Sequence, residues 1–375
     1  MRAKLDPAGD PAHAAPFYVD SPGAVSSRIA AELALAPASR HLLVGGVGSG
    51  KTTELLAIER RMSEIADVAT LYIDVSKHHD IAKMMPGAII AQVGLGLAEQ
   101  LAGSGERSLL IQAARDVAYG AWELPELDEP DDSVYVPGIL IPPEQVVENV
   151  QRAIEPLTAL LKKVRAGIPH IAVMLDGLDR ITDLQAFEQL VDHDVTKLSS
   201  LGIGVVLVGP LRALYGLDRV LVQRFDSFQY QPWLDVTKHR AGRSFLADVL
   251  AARAPEAFAP AAIDPLIAGS GGVLRDLLVI AQSALVEAYM DGASQVGEHE
   301  VDDAIATFGR KHLQGLRPAE IEVLQRVRTH GSFVQTSEDD LALLMTRRVL
   351  EYRSENQPRY AVHPSIERLL NELAK

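Results

Sequence analysis

The chain has 375 residues, of which 47% are hydrophobic and 23% are charged, and its formal net charge is −14. These values are typical of a globular protein with one large or several smaller domains, and the negative charge argues against a protein that coats nucleic acid indiscriminately. The absence of cysteine excludes disulfides and thiolate metal sites. No signal-peptide pattern and no uniformly apolar membrane-length segment is apparent, so we expect a cytoplasmic protein without membrane contact.

The N-terminal part of the chain leads into a strand, a glycine-rich loop and a helix. Residues 1–16 are rich in Ala, Pro and Asp, which predicts a disordered start. A helix is predicted over Ala24–Leu35, and Leu42–Val44 has the length and composition of a buried parallel strand. Four glycines follow within six residues, and a helix-forming run, Thr53–Met62, comes after them.

The glycine-rich loop has the spacing G-x-x-x-x-G-K-T, which is the phosphate-cradle motif when a strand precedes it and a helix follows. Its candidate binding residues are Gly45, Gly46, Val47, Gly48, Ser49, Gly50, Lys51, Thr52 and Thr53. Backbone N–H groups and the positive end of the helix can hold a triphosphate, Lys51 can reach its β- and γ-phosphates, and the Thr52 hydroxyl can ligate Mg²⁺. A glycine-rich turn with a chance lysine is the alternative, and the register of all these features argues against it. The sequence therefore predicts a site for ATP and Mg²⁺.

Two residues upstream of this loop are open to two interpretations. Tyr18 and Val19 begin an apolar patch ahead of the first predicted helix. Segments in this position often pack against the nucleotide base. Packing into the protein core is an equally good interpretation of the same two residues.

Further along the chain, a second buried strand is predicted over Val68–Val75, and helices are predicted over Ile81–Leu101 and Ser108–Trp122. The segment 123–143 is acidic, rich in proline and without helical periodicity, which predicts an exposed insertion. A helix over Gln145–Lys163 follows it.

A second informative stretch is the β-type run Ile171–Leu175, which ends in Asp176 and is followed by Asp179. In an open parallel sheet, ligands bind beyond the carboxyl ends of the strands. Asp176 is therefore predicted to hold the Mg²⁺ hydration shell beside Thr52, and Asp179 to orient or deprotonate the attacking water. An Asp-Gly turn at the end of a strand is the alternative interpretation.

The remaining strand–helix repeats complete a predicted α/β core. A helix over Leu184–Leu198 precedes a strand over Ile203–Val208, and Arg212 lies just past that strand. A short strand is predicted over Ser227–Tyr230. The pattern predicts a three-layer, parallel-sheet P-loop core over residues 17–233.

After this core no strand pattern appears until the last part of the chain. Residues 234–313 predict a small helical lid, in which the turn Gly269–Gly272 places Arg275 in the first turn of a helix. Between Arg310 and Lys375 the chain carries 11 Lys or Arg and 9 Asp or Glu, a surplus of positive charge. Residues 314–375 form the last predicted domain. Their predicted order is winged-helix-like, with one helix short: helix Pro318–His330, strand Ser332–Thr336, helix Glu338–Arg348, hairpin Val349–Arg353 with Arg359–His363, and helix Ser365–Ala374.

Four stretches resemble the AAA+/STAND division of P-loop ATPases. They are GGVGSGKTTEL (Gly45–Leu55), VMLDGLDR (Val173–Arg180), RFDSFQYQPW (Arg224–Trp233) and GGVLRDLL (Gly271–Leu278). The Asp-Gly-Leu-Asp form is similar to NACHT-type and KAP-type proteins, and the layout resembles origin-recognition initiators and transposition ATPases.

The resemblance implies roles for several arginines. Arg275 matches the sensor 2 arginine that touches the γ-phosphate, and Arg224 matches an arginine finger, with Arg219 as its reserve. Arg212 stands in for a polar sensor, because Gly209 and Pro210 occupy that sensor's usual place. Arg180 replaces an acid of the NACHT pattern, and no glutamate follows Asp176, so we expect slow hydrolysis.

Three functions remain open from the sequence. The leading hypothesis is an ATP-dependent conformational or assembly switch of signalling or defence type, acting as a homo-oligomer or on a partner protein through the winged helix. The second is a DNA-associated loader, against which the apolar and acidic would-be recognition helix argues. The third is a scaffold that retains ATP without hydrolysing it.

Overall fold

The computed structural model describes most of the chain outside one long central segment. The described residues are 2–6, 17–23, 25–77, 81, 84, 86–101, 154, 155, 157–162, 169–215, 219–334, 338–353 and 358–373. The predicted helix Ser108–Trp122 and the acidic insertion 123–143 lie outside these ranges, as does most of the predicted helix Gln145–Lys163. None of the helices in the described ranges has both the length and the apolar character needed to cross a bilayer.

The described chain forms two compact units. The first, here called the sheet unit, consists of Val25–Val44 and Glu54–Gln229. The second, here called the lid unit, consists of Met1–Ala24, Gly45–Thr53 and Tyr230–Lys375. The glycine-rich loop is therefore grouped with the C-terminal part of the chain.

Five strands form one sheet in the order β2-β3-β4-β1-β5. They are β1 (Arg40–Gly45), β2 (Val68–Asp74), β3 (His170–Asp176), β4 (Ile203–Val208) and β5 (Ser227–Gln231). The β2–β3, β3–β4 and β4–β1 pairs are parallel, with Leu43 opposite Val208 and Leu175 opposite Leu207. Every residue of β4 is buried because a parallel sheet is covered on both faces. The predicted α/β class with a parallel sheet is confirmed.

The helices of this part of the chain are α1 (Val25–Leu35), α2 (Lys51–Ser63), α3 (Ala88–Leu101), α4 (Leu184–Leu190) and α5 (Thr196–Ser200). Apolar side chains of α1, α2 and the sheet, among them Ile29, Ile58 and Met174, share one buried cluster. The single helix predicted over Leu184–Leu198 is interrupted by a π-helical turn, Val191–Val195, between α4 and α5.

The π-helical turn has a structural partner in α3. Asp194 is fully buried, and its carboxylate accepts hydrogen bonds from Gly87 N at 2.7 Å and Ile89 N at 2.9 Å. These N–H groups belong to the start of α3, where a helix has no internal acceptors for them. The carboxylate therefore caps α3 from a distant part of the sequence.

The lid unit is mainly helical and ends in a hairpin and a last helix. Its helices are α6 (Arg240–Arg253), α7 (Pro260–Gly269), α8 (Leu274–Met290), α9 (Glu298–Leu313), α10 (Pro318–His330), α11 (Glu338–Met345) and α12 (Pro364–Leu373). The antiparallel hairpin pairs β6 (Val349–Arg353) with β7 (Pro358–Val362).

Helices α6 to α9 bury one continuous apolar cluster. Leu5, in a short 3-10 helix (Arg2–Leu5) within the segment predicted to be disordered, is fully buried in this cluster. The strand predicted over Ser332–Thr336 does not form at Ser332–Val334. Tyr360 N donates one hydrogen bond, of 3.2 Å, to Gly331 O, and the Phe333 ring packs on the Tyr360 ring instead of extending a ladder.

We expect Asp194→Ala to lower the free energy of unfolding by about 2–4 kcal/mol, because it removes a helix cap and leaves buried N–H groups without acceptors. Chemical denaturation monitored by circular dichroism measures this loss. Asp248→Ala, at an exposed helical position, is the control and should change the value by less than about 0.5 kcal/mol. Equal stabilities for the two variants would show that the cap contributes nothing.

Candidate nucleotide-binding site

The glycine-rich loop joins β1, which ends at Gly45, to α2, which begins at Lys51. Gly48 has a φ of 80° and Gly50 a φ of 97°. These values lie in the left-handed region that side chains with a Cβ rarely adopt, so the loop depends on glycine at both positions. A backbone with left-handed residues placed in this way can turn successive N–H groups toward one anion.

The polar side chains of the loop fit a phosphate group. The Lys51 side chain is buried, and its Nζ donates to Gly45 O at 2.9 Å and to Gly46 O at 3.2 Å. Within the described ranges, the buried Ser49 Oγ has no hydrogen-bond partner. Buried hydroxyl groups are normally satisfied, and a phosphate oxygen would satisfy this one. Thr52 lies in the first turn of α2, where its hydroxyl would serve Mg²⁺.

Trp233 lies two residues after β5 and contacts the glycine-rich loop. The sequence pattern did not predict this contact. Its indole Nε1 donates to Val47 O at 3.2 Å, and the residue is only 2% exposed. A Cβ on Gly46 would lie 2.0 Å from the indole ring. The ring therefore contacts the loop backbone directly. The Pro-Trp pair that follows β5 was the only sequence signal for this contact.

The first turn of α8 also contacts the loop. Arg275 N donates to Gly48 O at 3.3 Å, and a Cβ on Gly48 would lie 2.6 Å from Arg275 Cβ. Because α8 begins at Leu274, the positive end of its dipole lies beside the loop. The exposed Arg275 side chain thus starts next to the predicted phosphate cradle, while the role of its guanidinium stays a prediction.

The turn before α8 is held from two sides. A Cβ on Gly272 would lie 1.8 Å from Leu234 O, and Leu234 N donates to Gly272 O at 3.2 Å. On its other side the Tyr352 hydroxyl donates to Gly271 O at 2.7 Å. A Cβ on Gly271 would meet Leu350 Cδ1 at 2.6 Å. The turn that delivers Arg275 is therefore in direct contact with the β6–β7 hairpin.

A buried ionic group joins α8 to the C-terminal elements. The Arg347 Nε donates to Asp276 Oδ2 at 2.8 Å, and His363 Nε2 lies 3.5 Å from the same oxygen. Burial by itself would raise the pKa of Asp276, but its contacts with His363 and Arg347 outweigh that effect and lower it. Asp276 is therefore a buried carboxylate in contact with two residues from later elements, Arg347 and His363.

In the sheet unit, Asp176 ends β3 and is 7% exposed. Its Oδ2 accepts a hydrogen bond of 2.9 Å from the Tyr72 hydroxyl, and its Oδ1 accepts one of 2.8 Å from Gly177 N. Burial, and then the nearby Asp176 charge, raise the pKa of Tyr72 well above its usual range. Asp179 lies in the half-exposed 3-10 turn Leu178–Arg180. The sequence analysis did not find Tyr72, because aromatic residues are common in strands.

Arg224, the predicted finger, is paired within the sheet unit. Its guanidinium contacts Glu188 at 2.6 Å and also contacts Asp192. Arg212 is half-buried in a short 3-10 helix, Leu211–Leu214, directly after β4. Arg219 begins the 3-10 helix that ends at Arg224.

The two residues upstream of the loop belong to the lid unit. Tyr18 and Val19 are half-buried. Val19 packs against the apolar cluster of α6 to α9, which supports the core interpretation for this residue.

A parallel sheet in this order, with a glycine-rich loop after β1 and an aspartate at the end of β3, defines a P-loop NTPase fold. No protein-family model matches the chain, and no curated protein sequence matches it. Solved structures are similar in fold. The Aeropyrum pernix ORC2 protein, in ADPNP and ADP complexes, aligns over 100% of this chain and 96% of its own at 14% identity, with a TM-score of 0.49.

Two further structures are similar in the same way. The Aeropyrum pernix ORC1 protein in complex with DNA aligns over 99% of this chain and 96% of its own at 17% identity, with a TM-score of 0.49. Domain III of the Thermotoga maritima replication initiation protein DnaA aligns over 80% of this chain and 98% of its own at 16% identity, with a TM-score of 0.45. With identities of 14–17% and TM-scores of 0.45–0.49, these likenesses do not assign the chain to a family, and the AAA+/STAND resemblance stays a prediction.

We expect Gly48→Ala to weaken ATP binding about tenfold or more, because a Cβ strains the backbone by roughly 1–3 kcal/mol and collides with the first turn of α8. Isothermal titration calorimetry measures the affinity. Gly292→Ala is a matched control, because Gly292 also has a positive φ, of 69°, but its Cβ would meet nothing within 4 Å. If both variants bind ATP equally well, contact between loop and α8 does not affect the nucleotide site.

Proposed function

We propose that the protein binds ATP with Mg²⁺ at Gly45–Thr53, hydrolyses it slowly, and uses it as a conformational or assembly switch. The observation that carries this proposal is the position of the turn Ser270–Val273. The turn leads directly into Arg275, whose N donates a hydrogen bond to Gly48 O. Within the turn, Gly271 O accepts a hydrogen bond from the Tyr352 hydroxyl. A change at the loop would therefore reach the β6–β7 hairpin through one short segment.

The nucleotide would be held mainly by the loop itself. Lys51 would exchange its two carbonyl contacts for phosphate oxygens, and the N–H groups at the start of α2 would complete the cradle. Thr52 and Asp176 would hold Mg²⁺, which neutralises phosphate charge when bound. The parallel register of β1, β4 and β3, whose carboxyl ends share one edge of the sheet, supports the assignment of Asp176.

The switch would work through the contacts of α8. A γ-phosphate bound by Lys51 and Arg275 favours one placement of α8 against the loop, and its loss removes that preference. Asp276, the residue next to Arg275, is buried and paired with Arg347 and His363. Because leaving such a charge unpaired is costly, the C-terminal elements would follow α8 when it moves.

Slow hydrolysis is supported by what surrounds the predicted catalytic groups. The residue directly after Asp176 is Gly177 and not a glutamate, so Asp179 is the proposed group that orients the attacking water. Arg224 would have to exchange Glu188 and Asp192 for phosphate oxygens before it could act as a finger on a neighbouring subunit. Such a finger is worth roughly 10³–10⁵ in turnover in P-loop enzymes, so turnover would report assembly.

Three arginines that contribute to the C-terminal surplus of positive charge are engaged inside the lid unit. Arg347 pairs with Asp276, Arg359 pairs with Asp235, and Arg348 donates to the carbonyl groups of His312 and Gln314. In α11, the would-be recognition helix, Leu341, Leu343 and Leu344 are buried. These contacts support a role in binding protein, either a second copy of this chain or another partner, over a role in reading DNA.

We expect Lys51→Ala to reduce ATP affinity at least about 100-fold, because it removes charge-assisted bonds to two phosphates. Trp233 touches the loop and provides the signal: in a Trp122→Phe background it is the only tryptophan, and ATP should change its fluorescence. A thermal unfolding curve checks that the variant folds. Full ATP affinity in folded Lys51→Ala would disprove the nucleotide site.

We expect Tyr352→Phe to change ATP affinity about threefold to tenfold, since it removes one hydrogen bond worth roughly 0.5–1.5 kcal/mol from the turn before α8. Tyr352 lies far along the sequence from the loop, so the effect measures coupling through the turn. Tyr289→Phe, at a tyrosine that is 87% exposed, is the control. Identical affinities in wild type, Tyr352→Phe and Tyr289→Phe would rule out the switch.

The two other functions give distinct results in turnover assays. A DNA-associated loader would show salt-dependent DNA binding that raises turnover. A scaffold would bind ATP tightly, show no turnover at any protein concentration, and tolerate Asp176→Asn and Asp179→Asn together.

A further inference from the structure

The carboxylate of Asp176 is held at both oxygens within the sheet unit. The Tyr72 hydroxyl donates to Oδ2 at 2.9 Å, and Gly177 N donates to Oδ1 at 2.8 Å. These two bonds engage both oxygens of the carboxylate and help to determine the plane in which the group lies.

The register of the sheet explains why the phenol reaches this carboxylate. Tyr72 pairs with Met174 in the adjacent parallel strand, and Asp74 pairs with Asp176 two residues further on. Side chains two residues apart point to the same face of a sheet. Tyr72 therefore lies on the same face of the sheet as Asp176, two residues before the end of β2. Its side chain is long enough to span this separation and reach the carboxylate.

The Tyr72 ring has little freedom to move away. It packs against the apolar cluster formed by α1, α2 and the sheet, whose members include Leu55, Ile58 and Met174. The Tyr72 hydroxyl donates this hydrogen bond, and the Asp176 carboxylate accepts it.

We propose that Tyr72 is a positioning residue that fixes the orientation of Asp176 toward a Mg²⁺ ion bound with ATP. This proposal rests on the proposed nucleotide site. Groups that hydrogen-bond to metal-ligating carboxylates determine how those carboxylates face the metal, and their removal costs roughly 10–100-fold in metal affinity or activity. Loss of the phenol hydroxyl would remove the hydrogen bond of 2.9 Å to Oδ2 and weaken the hold on the orientation of Asp176.

The test compares wild type with Tyr72→Phe in the Trp122→Phe background, with Trp233 fluorescence reporting ATP binding. Affinity is measured first with Mg²⁺ chelated and then across a Mg²⁺ titration. We expect equal affinities without Mg²⁺ and a half-saturating Mg²⁺ concentration raised about tenfold in the variant. Tyr289→Phe is the matched control and should behave as wild type. Thermal unfolding shows whether Tyr72→Phe affects only stability.

A double variant separates positioning from a general effect on the sheet. We expect Asp176→Asn to weaken the Mg²⁺ dependence strongly, and adding Tyr72→Phe to it should have no further effect, because the phenol acts through that carboxylate. Unchanged Mg²⁺ dependence in Tyr72→Phe, or a full effect of Tyr72→Phe in the Asp176→Asn background, would overturn the proposal. If wild type binds no ATP at all, the proposed function fails as well, so the two failures are distinguishable.

Discussion

Close approach of backbone turns in the lid unit is the constraint on which the rest of the candidate site depends. Gly48 meets Arg275, Gly272 meets Leu234, and Gly271 meets the β6–β7 hairpin at distances that leave no room for a Cβ. The contact at Gly272 joins two backbone segments and the one at Gly48 involves the Arg275 Cβ, so both are stiff. At Gly271 the nearest atoms belong to the Leu350 and Pro364 side chains. A displacement of one turn must therefore be taken up by its neighbours, which is the property that a nucleotide-controlled switch requires.

The distribution of charge in the lid unit follows from this arrangement. Asp276 and Asp235 are buried carboxylates that receive arginines from the C-terminal elements, and Glu351 pairs with Arg353 in the same way. Buried carboxylates need such partners. Two arginines of the C-terminal positive charge, Arg347 and Arg359, thus join the region of the β6–β7 hairpin to the helical lid.

The candidate catalytic groups of the sheet unit differ in how firmly they are held. Asp176 has a fixed orientation because a packed tyrosine and a backbone N–H both bind it. Arg224 is engaged with two acidic side chains, so its proposed catalytic role needs a competing set of acceptors. This difference agrees with the proposed function, in which Asp176 is already oriented for binding and ATP turnover depends on a rearrangement of Arg224 or on a partner.

The sequence by itself determined the loop, the strands and most helices, because these depend on local spacing. The glycines before Lys51 allow the left-handed backbone conformations that the loop adopts at Gly48 and Gly50. The apolar runs ending at Val44, Leu175 and Val208 are too short and too uniform for other elements. Only the tertiary structure decided the partners: Tyr72 for Asp176, Arg347 for Asp276, and Asp194 for the start of α3. Each of these pairs joins residues more than 70 positions apart. Hydrogen bonds and ion pairs at such separations depend on register and packing, and neither leaves a periodic signal in the sequence.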